Sequence, residues 1–211
     1  MITIFIDGKK LNVENNANLL KVCLDHGIYI PNLCYLDGMD EPPASCRLCF
    51  VELEGEKNPV TSCTLKLREG MSVRTHTEPV RNLQKSALRL LLSVHHVDCR
   101  NCPANRRCIL QDMAKFLKIG LKSKKLNLFL KELDIDQDHP YLNYDPNRCV
   151  LCGRCVYTCQ KQQDKPCLTF AKRGMDTRIS FSNPVETAPS FCAACSACAD
   201  ICPVEAITLK T

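Results

Sequence analysis

The chain contains no tryptophan, and aromatic residues make up only 6% of its 211 positions. Large rings therefore cannot form the core, which must rest on leucine, isoleucine and valine around whatever else is buried. No apolar run approaches the roughly 20 residues that a bilayer-spanning helix needs. The opening MITIFIDGKK lacks the apolar stretch of a signal peptide. These absences predict a soluble, cytoplasmic protein without a membrane span. Glycine is sparse too. The eight glycines are scattered, with no G-x-G-x-x-G after a strand pattern and no P-loop, so no Rossmann-type or P-loop nucleotide site is visible. No Ser-His-Asp arrangement and no DNA-reading element stands out. The chain is expected to have no catalytic site of its own and no nucleic-acid partner.

What it has is sulfur: 17 cysteines, an odd number, many of them in C-x2-C pairs. The odd count, the tight spacing and the missing secretion signal argue against disulfides. Zinc accepts C-x2-C pairs, but its sites combine two such pairs and do not use C-x2-C-x2-C-x3-C runs. Thiolates are soft, anionic ligands that suit iron held with sulfide, and four ligands close the shell of a cluster. His95, Cys99, Cys102 and Cys108 stand in the order H-x3-C-x2-C-x5-C. Adding Cys34, Cys46, Cys49 and Cys63 and two runs that begin at Cys149 and Cys192 gives sixteen ligands, fifteen of them cysteine. That number serves four clusters of four ligands each. Cys23 and Cys167 are left over, and both read as small packing residues.

The formal net charge of +5 counts every cysteine as neutral. Four oxidised clusters with their thiolates would add roughly seven negative charges, which makes the loaded protein mildly acidic. The one dense basic stretch, Lys118, Lys122, Lys124 and Lys125, reads as a solvated helix face or linker.

The length suits one large or two small domains, but the cysteine groups argue for three small modules, each stapled by its metal. Residues 1–78 read as strands and turns around one helix. Ile2, Ile4 and Ile6 alternate with Thr3 and Phe5, Asp7-Gly8 supplies a hairpin turn, and Lys9 to Glu14 returns. Asn16 or Asn18 caps a helix carrying Leu19, Leu20, Cys23 and Leu24, which Gly27 ends. Further strand signal lies at Phe50–Leu53, Val60–Leu67 and Met71–Thr75. Residues 79–120 read as two helices around a cysteine loop. The first runs from Pro79 to Val94 with Val80, Leu83, Ala87, Leu90, Leu91 and Val94 on one side; the second runs from Ile109 to Ile119 and stops at Gly120. Residues 121–138 are rich in lysine and aspartate and form a connector. Residues 139–211 hold the same C-x2-C-x2-C-x3-C run twice, an internal duplication.

In the first set, Cys34 follows the rigid turn Ile30-Pro31-Asn32-Leu33, Cys46 and Cys49 flank Arg47-Leu48, and Cys63 is expected on the following strand. Four thiolates in a loop-rich β module suit a [2Fe–2S] cluster. The segment SCRLCFVELEG resembles the [2Fe–2S] module of the large peripheral-arm subunit of respiratory complex I and of iron-only hydrogenases. It departs from the plant-type C-x4-C-x2-C order. HHVDCRNCPANRRCILQD is similar to the His-ligated [4Fe–4S] module of the same families, and the motif's spacing selects His95 over His96. The duplicated run resembles two-cluster ferredoxins, in which the fourth cysteine of each run ligates the other cluster. That resemblance implies one [4Fe–4S] on Cys149, Cys152, Cys155 and Cys202 and another on Cys192, Cys195, Cys198 and Cys159. Pro203 follows Cys202 as the pattern requires, Gln160 takes that place after Cys159, and Ser196 stands where such runs often carry glycine.

Together these likenesses imply an α+β chain: a β-grasp [2Fe–2S] module, a small helical His/Cys3 [4Fe–4S] module and a two-cluster bacterial ferredoxin-like module. They extend to the small relay subunits of NAD-reducing and electron-bifurcating hydrogenases and formate dehydrogenases. Nine residues follow Cys202, so no catalytic di-iron domain is expected on this sequence. The implied function is a relay of single electrons in a multi-subunit NAD(P)-linked oxidoreductase. The implied partners are a flavin-containing NAD(P)H dehydrogenase subunit, a hydrogenase or formate dehydrogenase catalytic subunit, and a ferredoxin. A free-standing polyferredoxin is the alternative, and a redox-sensing regulator a third.

Overall fold

Alternation places Ile4 and Ile6 of strand β1 (Ile2–Ile6) in the core, both fully buried, and leaves Phe5 outward. Asp7 and Gly8 both take positive φ, 50° and 80°, the conformation of a two-residue hairpin turn. The chain therefore returns as β2 (Lys9–Val13), paired antiparallel with Ile6 opposite Lys9. The computed structural model describes residues 1–122, 126–162, 166–181 and 190–210, which fall into two units.

The first unit comprises residues 1–89 and 113–119. Its sheet is completed by β3 (Phe50–Leu53), β4 (Val60–Thr61) and β5 (Ser72–Arg74), in the order β2-β1-β5-β3-β4. Only the β1–β5 pair is parallel. Helix α1 (Leu19–Asp25) buries Leu19, Leu20, Val22 and Cys23, which join Ile4, Ile6, Val51, Leu67 and Val73 in one apolar cluster. Each large side chain so buried is worth about 1.5–3 kcal/mol against exposure, which is how a core without tryptophan suffices. Asn18, not Asn16, caps the helix: its Oδ1 accepts from Lys21 N at 3.1 Å. The C-terminus closes as expected at Gly27, where Ile28 N donates to Cys23 O and Gly27 N to Leu24 O.

The predicted strand Val60–Leu67 breaks after two residues. Ser62 N donates to Cys49 O at 2.9 Å and Asn18 Nδ2 to Cys63 O at 2.6 Å, and these bonds turn the chain into one 3-10 turn, Ser62–Thr64. Helix α2 (Glu78–Ser93) forms where expected but presents a rotated face. Val80, Gln84, Ala87, Leu88 and Leu92 are buried, whereas Leu83 and Leu90 are exposed. Gln84 tolerates burial because both ends are bonded, Nε2 to Phe50 O and Oε1 from Arg81 Nη1. Helix α3 (Ile109–Leu117) stops before Gly120. Lys118 takes φ 54°, with Ile119 N donating to Ala114 O and Lys118 N to Lys115 O, so a lysine supplies the left-handed cap.

The second unit comprises residues 90–112 and 120–211. Two antiparallel ribbons frame it: β6 (Leu142–Tyr144) with β9 (Ile207–Leu209), and β7 (Leu168–Ala171) with β8 (Arg178–Phe181). Helices α4 (Arg154–Gln162) and α5 (Ala197–Asp200) carry parts of the duplicated run. The two copies differ at one turn. Gly153 takes φ 76° with Phe170 stacked 3.3 Å from where a Cβ would lie, while Ser196 takes φ −99° and needs no glycine. The connector is less polar in effect than its lysines and aspartates suggest, since Leu128, Phe129 and Ile135 are more than half exposed. Lys118 and Lys122 are exposed, whereas Lys124 and Lys125 lie outside the described residues. Among the described residues no helix is long and apolar enough to cross a membrane.

Because Asn18 both caps α1 and holds the Cys63 carbonyl, Asn18→Ala is expected to cost about 1–2 kcal/mol. Asn16→Ala, at a position with no capping bond, should cost less. Chemical denaturation of the two variants at equal metal content measures the difference.

Candidate metal centres

Cys34, Cys46, Cys49 and Cys63 are all buried in the first unit. Cys34 and Cys46 Sγ lie 3.5 Å apart. The Cys46 thiol, outweighing burial, pulls the Cys34 thiol down to about 5, with further help from Ser45 and the backbone. Cys46 is pushed up in return. Cys49 is lowered to about 7, chiefly by the Cys63 thiol, and Cys63 is raised. Arg47 at φ 54° bends the loop between Cys46 and Cys49. Two thiol pairs, each already sharing a proton, are what a thiolate-binding metal group would deprotonate fully.

The second set sits on the loop between α2 and α3. Cys99 lies in a 3-10 turn (Cys99–Asn101), and Cys102 and Cys99 are near enough to raise the Cys108 thiol, although burial is the larger cause. His95 is buried and its Nδ1 lies 2.8 Å from the Arg148 carbonyl oxygen. A carbonyl only accepts, so Nδ1 carries the proton and Nε2 is left with a free lone pair, the tautomer a metal-binding imidazole needs. Burial also lowers the His95 pKa, which keeps the ring neutral. His96 is exposed and contributes a backbone bond to Asn147 O.

In the duplicated run the fold sorts the cysteines across the two copies. Cys149, Cys152, Cys155 and Cys202 line one small cavity with Val150, Val204 and Ile207. Leu151 N donates to Cys149 Sγ and Ala206 N to Cys202 Sγ. The buried Tyr144 hydroxyl accepts from Ile179 N and bonds Cys149. Burial raises the Cys149, Cys152 and Cys155 thiols, Cys152 to about 12. Apolar walls, four convergent sulfurs and N–H donors aimed at sulfur are the environment that holds and tunes an iron–sulfur cluster. The residues fit the group. Cys159, on α4, groups instead with Cys192, Cys195 and Cys198: its charge acts on both Cys192 and Cys198, as does that of Cys195.

Spacing overlooked one neighbour. Cys167 is buried, as a packing residue would be, yet its Sγ lies 3.7 Å from Cys192 Sγ and 3.9 Å from Cys159 Sγ. A ring nitrogen of His139 is within 4.8 Å of the Cys167 and Cys192 sulfurs. Nothing in the linear spacing marks either residue; only the failure of Cys167 to fit a run was visible. Cys23, the other spare thiol, lies in the apolar cluster with its pKa pushed up to about 12 by burial.

Sulfur pockets carried on a β-rich unit and on a doubled ribbon-and-helix unit define an iron–sulfur protein. Three family models match in succession: a 2Fe-2S iron-sulfur cluster binding domain over residues 1–78, the NADH-ubiquinone oxidoreductase-G iron-sulfur binding region over 84–121, and the ferredoxin-like domain of NADH-quinone oxidoreductase subunit 3 over 139–208. The chain is 31% identical to the NADPH-Fe(3+) oxidoreductase subunit alpha of Geobacter sulfurreducens, over 100% of itself and 24% of that protein. It is 30% identical to the NADP-reducing hydrogenase subunit HndD of Solidesulfovibrio fructosivorans, over 98% of itself and 36% of that protein. It thus spans about a quarter to a third of these relatives. A chain in the crystal structure of an NAD+-reducing [NiFe]-hydrogenase in the H2-reduced state superimposes with TM-score 0.87 and 30% identity, covering 100% of this chain and 88% of that one. The chain belongs to the family of iron–sulfur electron-transfer subunits shared by NADH-quinone oxidoreductases and NAD(P)-linked hydrogenases, as its motifs imply.

His95→Ala is expected to remove or convert one [4Fe–4S] signal and leave the rest, while His96→Ala changes little. EPR of both reduced variants checks this, and a larger loss from His96→Ala would overturn the choice of histidine.

Proposed function

We propose that the chain is the electron-relay subunit of a cytoplasmic, multi-subunit NAD(P)-linked oxidoreductase. It would carry single electrons between a flavin-containing NAD(P)H dehydrogenase subunit and a remote catalytic subunit, a hydrogenase or a formate dehydrogenase. The observation that carries this reading is the end-to-end likeness to a chain of the NAD+-reducing hydrogenase, together with the four sulfur groupings along it. Iron–sulfur clusters, when bound, accept and release one electron at a time.

The residues then have distinct tasks. Cys34, Cys46, Cys49 and Cys63 would hold a [2Fe–2S] cluster within residues 1–78. His95 Nε2, Cys99, Cys102 and Cys108 would hold a [4Fe–4S] cluster within 79–120. The crossed sets of residues 139–211 would hold two more, Cys149, Cys152, Cys155 and Cys202 in one and Cys159, Cys192, Cys195 and Cys198 in the other. Tyr144, Leu151 and Ala206 would donate to ligand sulfur and set the potential of the third centre. Leu128, Phe129 and Ile135 support a fixed seat in an assembly over a free carrier. Their backbone is pinned, Phe129 N to Ser93 O at 2.7 Å and Lys131 N to Asn147 Oδ1 at 2.7 Å, so the exposed apolar side chains are presented in order.

Hydride transfer needs a flavin or nicotinamide site, and the sequence carries no motif for one. The isolated, cluster-loaded chain is therefore expected to be bleached by a strong one-electron reductant and left unchanged by NADH or NADPH. Adding the cognate flavin subunit should let the nicotinamide bleach at least one centre. Anaerobic absorbance measures all three conditions. Rapid bleaching of the flavin-free chain by NADH would contradict the relay reading.

A further inference from the structure

We infer that Cys167 is an exchangeable fifth ligand of the pocket formed by Cys159, Cys192, Cys195 and Cys198, able to take the place of Cys159. The inference rests on the proposed cluster at that pocket and goes beyond it, because the run spacing assigns Cys167 nothing.

Position is the first argument. The Cys167 sulfur lies 3.9 Å from Cys159 Sγ and 3.7 Å from Cys192 Sγ, so it borders two of the four sulfurs at once. Cys192, Cys195 and Cys198 enter as one tight run on a 3-10 turn and the start of α5. The fourth position is filled from the other copy, by Cys159 on α4, and Cys167 stands beside it at the start of β7. Replacing Cys159 leaves the run of three intact, whereas replacing Cys192 would break it. A sulfur already at van der Waals distance from the departing ligand needs a side-chain rotation and a small shift, not a refolded loop.

The second argument comes from His139, which is 5% exposed. Its Nδ1 accepts from Tyr141 N at 3.2 Å, which puts the ring's single hydrogen on Nε2. That Nε2 is buried without a hydrogen-bond partner, in a ring that places a nitrogen within 4.8 Å of the Cys167 and Cys192 sulfurs. An unspent buried N–H costs free energy, and thiolates at Cys167 and Cys192 are the sulfur acceptors within reach of this ring. Phe181 packs on the imidazole at 4.6 Å between centroids, so the ring is held in place. A buried imidazole thus stands beside the spare sulfur in advance.

The exchange is balanced without an external oxidant or reductant. Cys167 would hold the group in place of Cys159, and the proton that leaves the Cys167 thiol would pass to the displaced Cys159 thiolate.

The test uses the full chain, purified anaerobically, with iron and acid-labile sulfide counted and EPR recorded in the oxidised and reduced states. Cys159→Ala is expected to retain the wild-type iron content, about 14 atoms per chain, with a shifted signal from one reduced [4Fe–4S] centre. Cys159→Ala combined with Cys167→Ala should lose between about one and four irons, through a three-iron cluster or complete loss. Cys167→Ala alone should keep its full complement. Retention of the remaining centres shows that each variant is folded. The inference is overturned if Cys159→Ala alone loses as much iron as the double variant, or if Cys167→Ala alone loses iron. A wild-type chain without iron and sulfide would instead sink the cluster reading beneath it.

Discussion

Burial of ionisable sulfur is the interaction on which the rest of this molecule depends. Cys34, Cys46, Cys49, Cys63, Cys108, Cys149, Cys155, Cys159, Cys192 and Cys198 are all among its buried residues. Burial alone pushes a thiol toward its neutral form, as at Cys152 and Cys198, both raised to about 12. A ligand must be a thiolate. A cation at the centre of each group would offset that desolvation, so metal loading would be coupled to folding and would release protons. In a chain with few aromatic residues and short strands, such cross-links would add to the apolar core in holding the modules together.

The pockets are not equivalent. In the first unit the thiols come in close pairs that share protons, and Cys34 and Cys49 are already drawn down to about 5 and about 7. Around Cys149, Cys152, Cys155 and Cys202 in the second unit the walls are apolar, and backbone amides of Leu151 and Ala206 point at sulfur. Hydrogen bonds to ligand sulfur and exclusion of water are the means by which a protein sets cluster potential. Differences among the pockets would give the proposed clusters different potentials.

Local signals were fully legible where chemistry is local. The Asp7-Gly8 hairpin, the Gly27 end of α1 and the cysteine runs all follow from neighbouring residues, whereas the cap of α1 was narrowed only to Asn16 or Asn18 before the Asn18–Lys21 bond decided it. Long-range bonds decided the rest. Cys63 leaves the strand pattern because Asn18, far away in sequence, holds its carbonyl. Gln84 faces inward on α2 because Phe50 O accepts from it, which rotates the face that hydrophobic periodicity assigned to Leu83 and Leu90. Lys118 caps α3 in a conformation usually left to glycine, a choice invisible to composition. The tautomer of His95 depends on the Arg148 carbonyl, and the neighbours of Cys167 come from three separate segments. Motif spacing thus named the sulfurs, and tertiary structure supplied the partners that give them different characters.

The central claim is that sixteen side chains hold iron with sulfide. Elemental analysis of the anaerobically purified chain, with acid-labile sulfide measured on the same sample, tests it most directly. One [2Fe–2S] and three [4Fe–4S] clusters predict about 14 iron and about 14 sulfide per chain. A count of about four zinc with little sulfide would contradict the account.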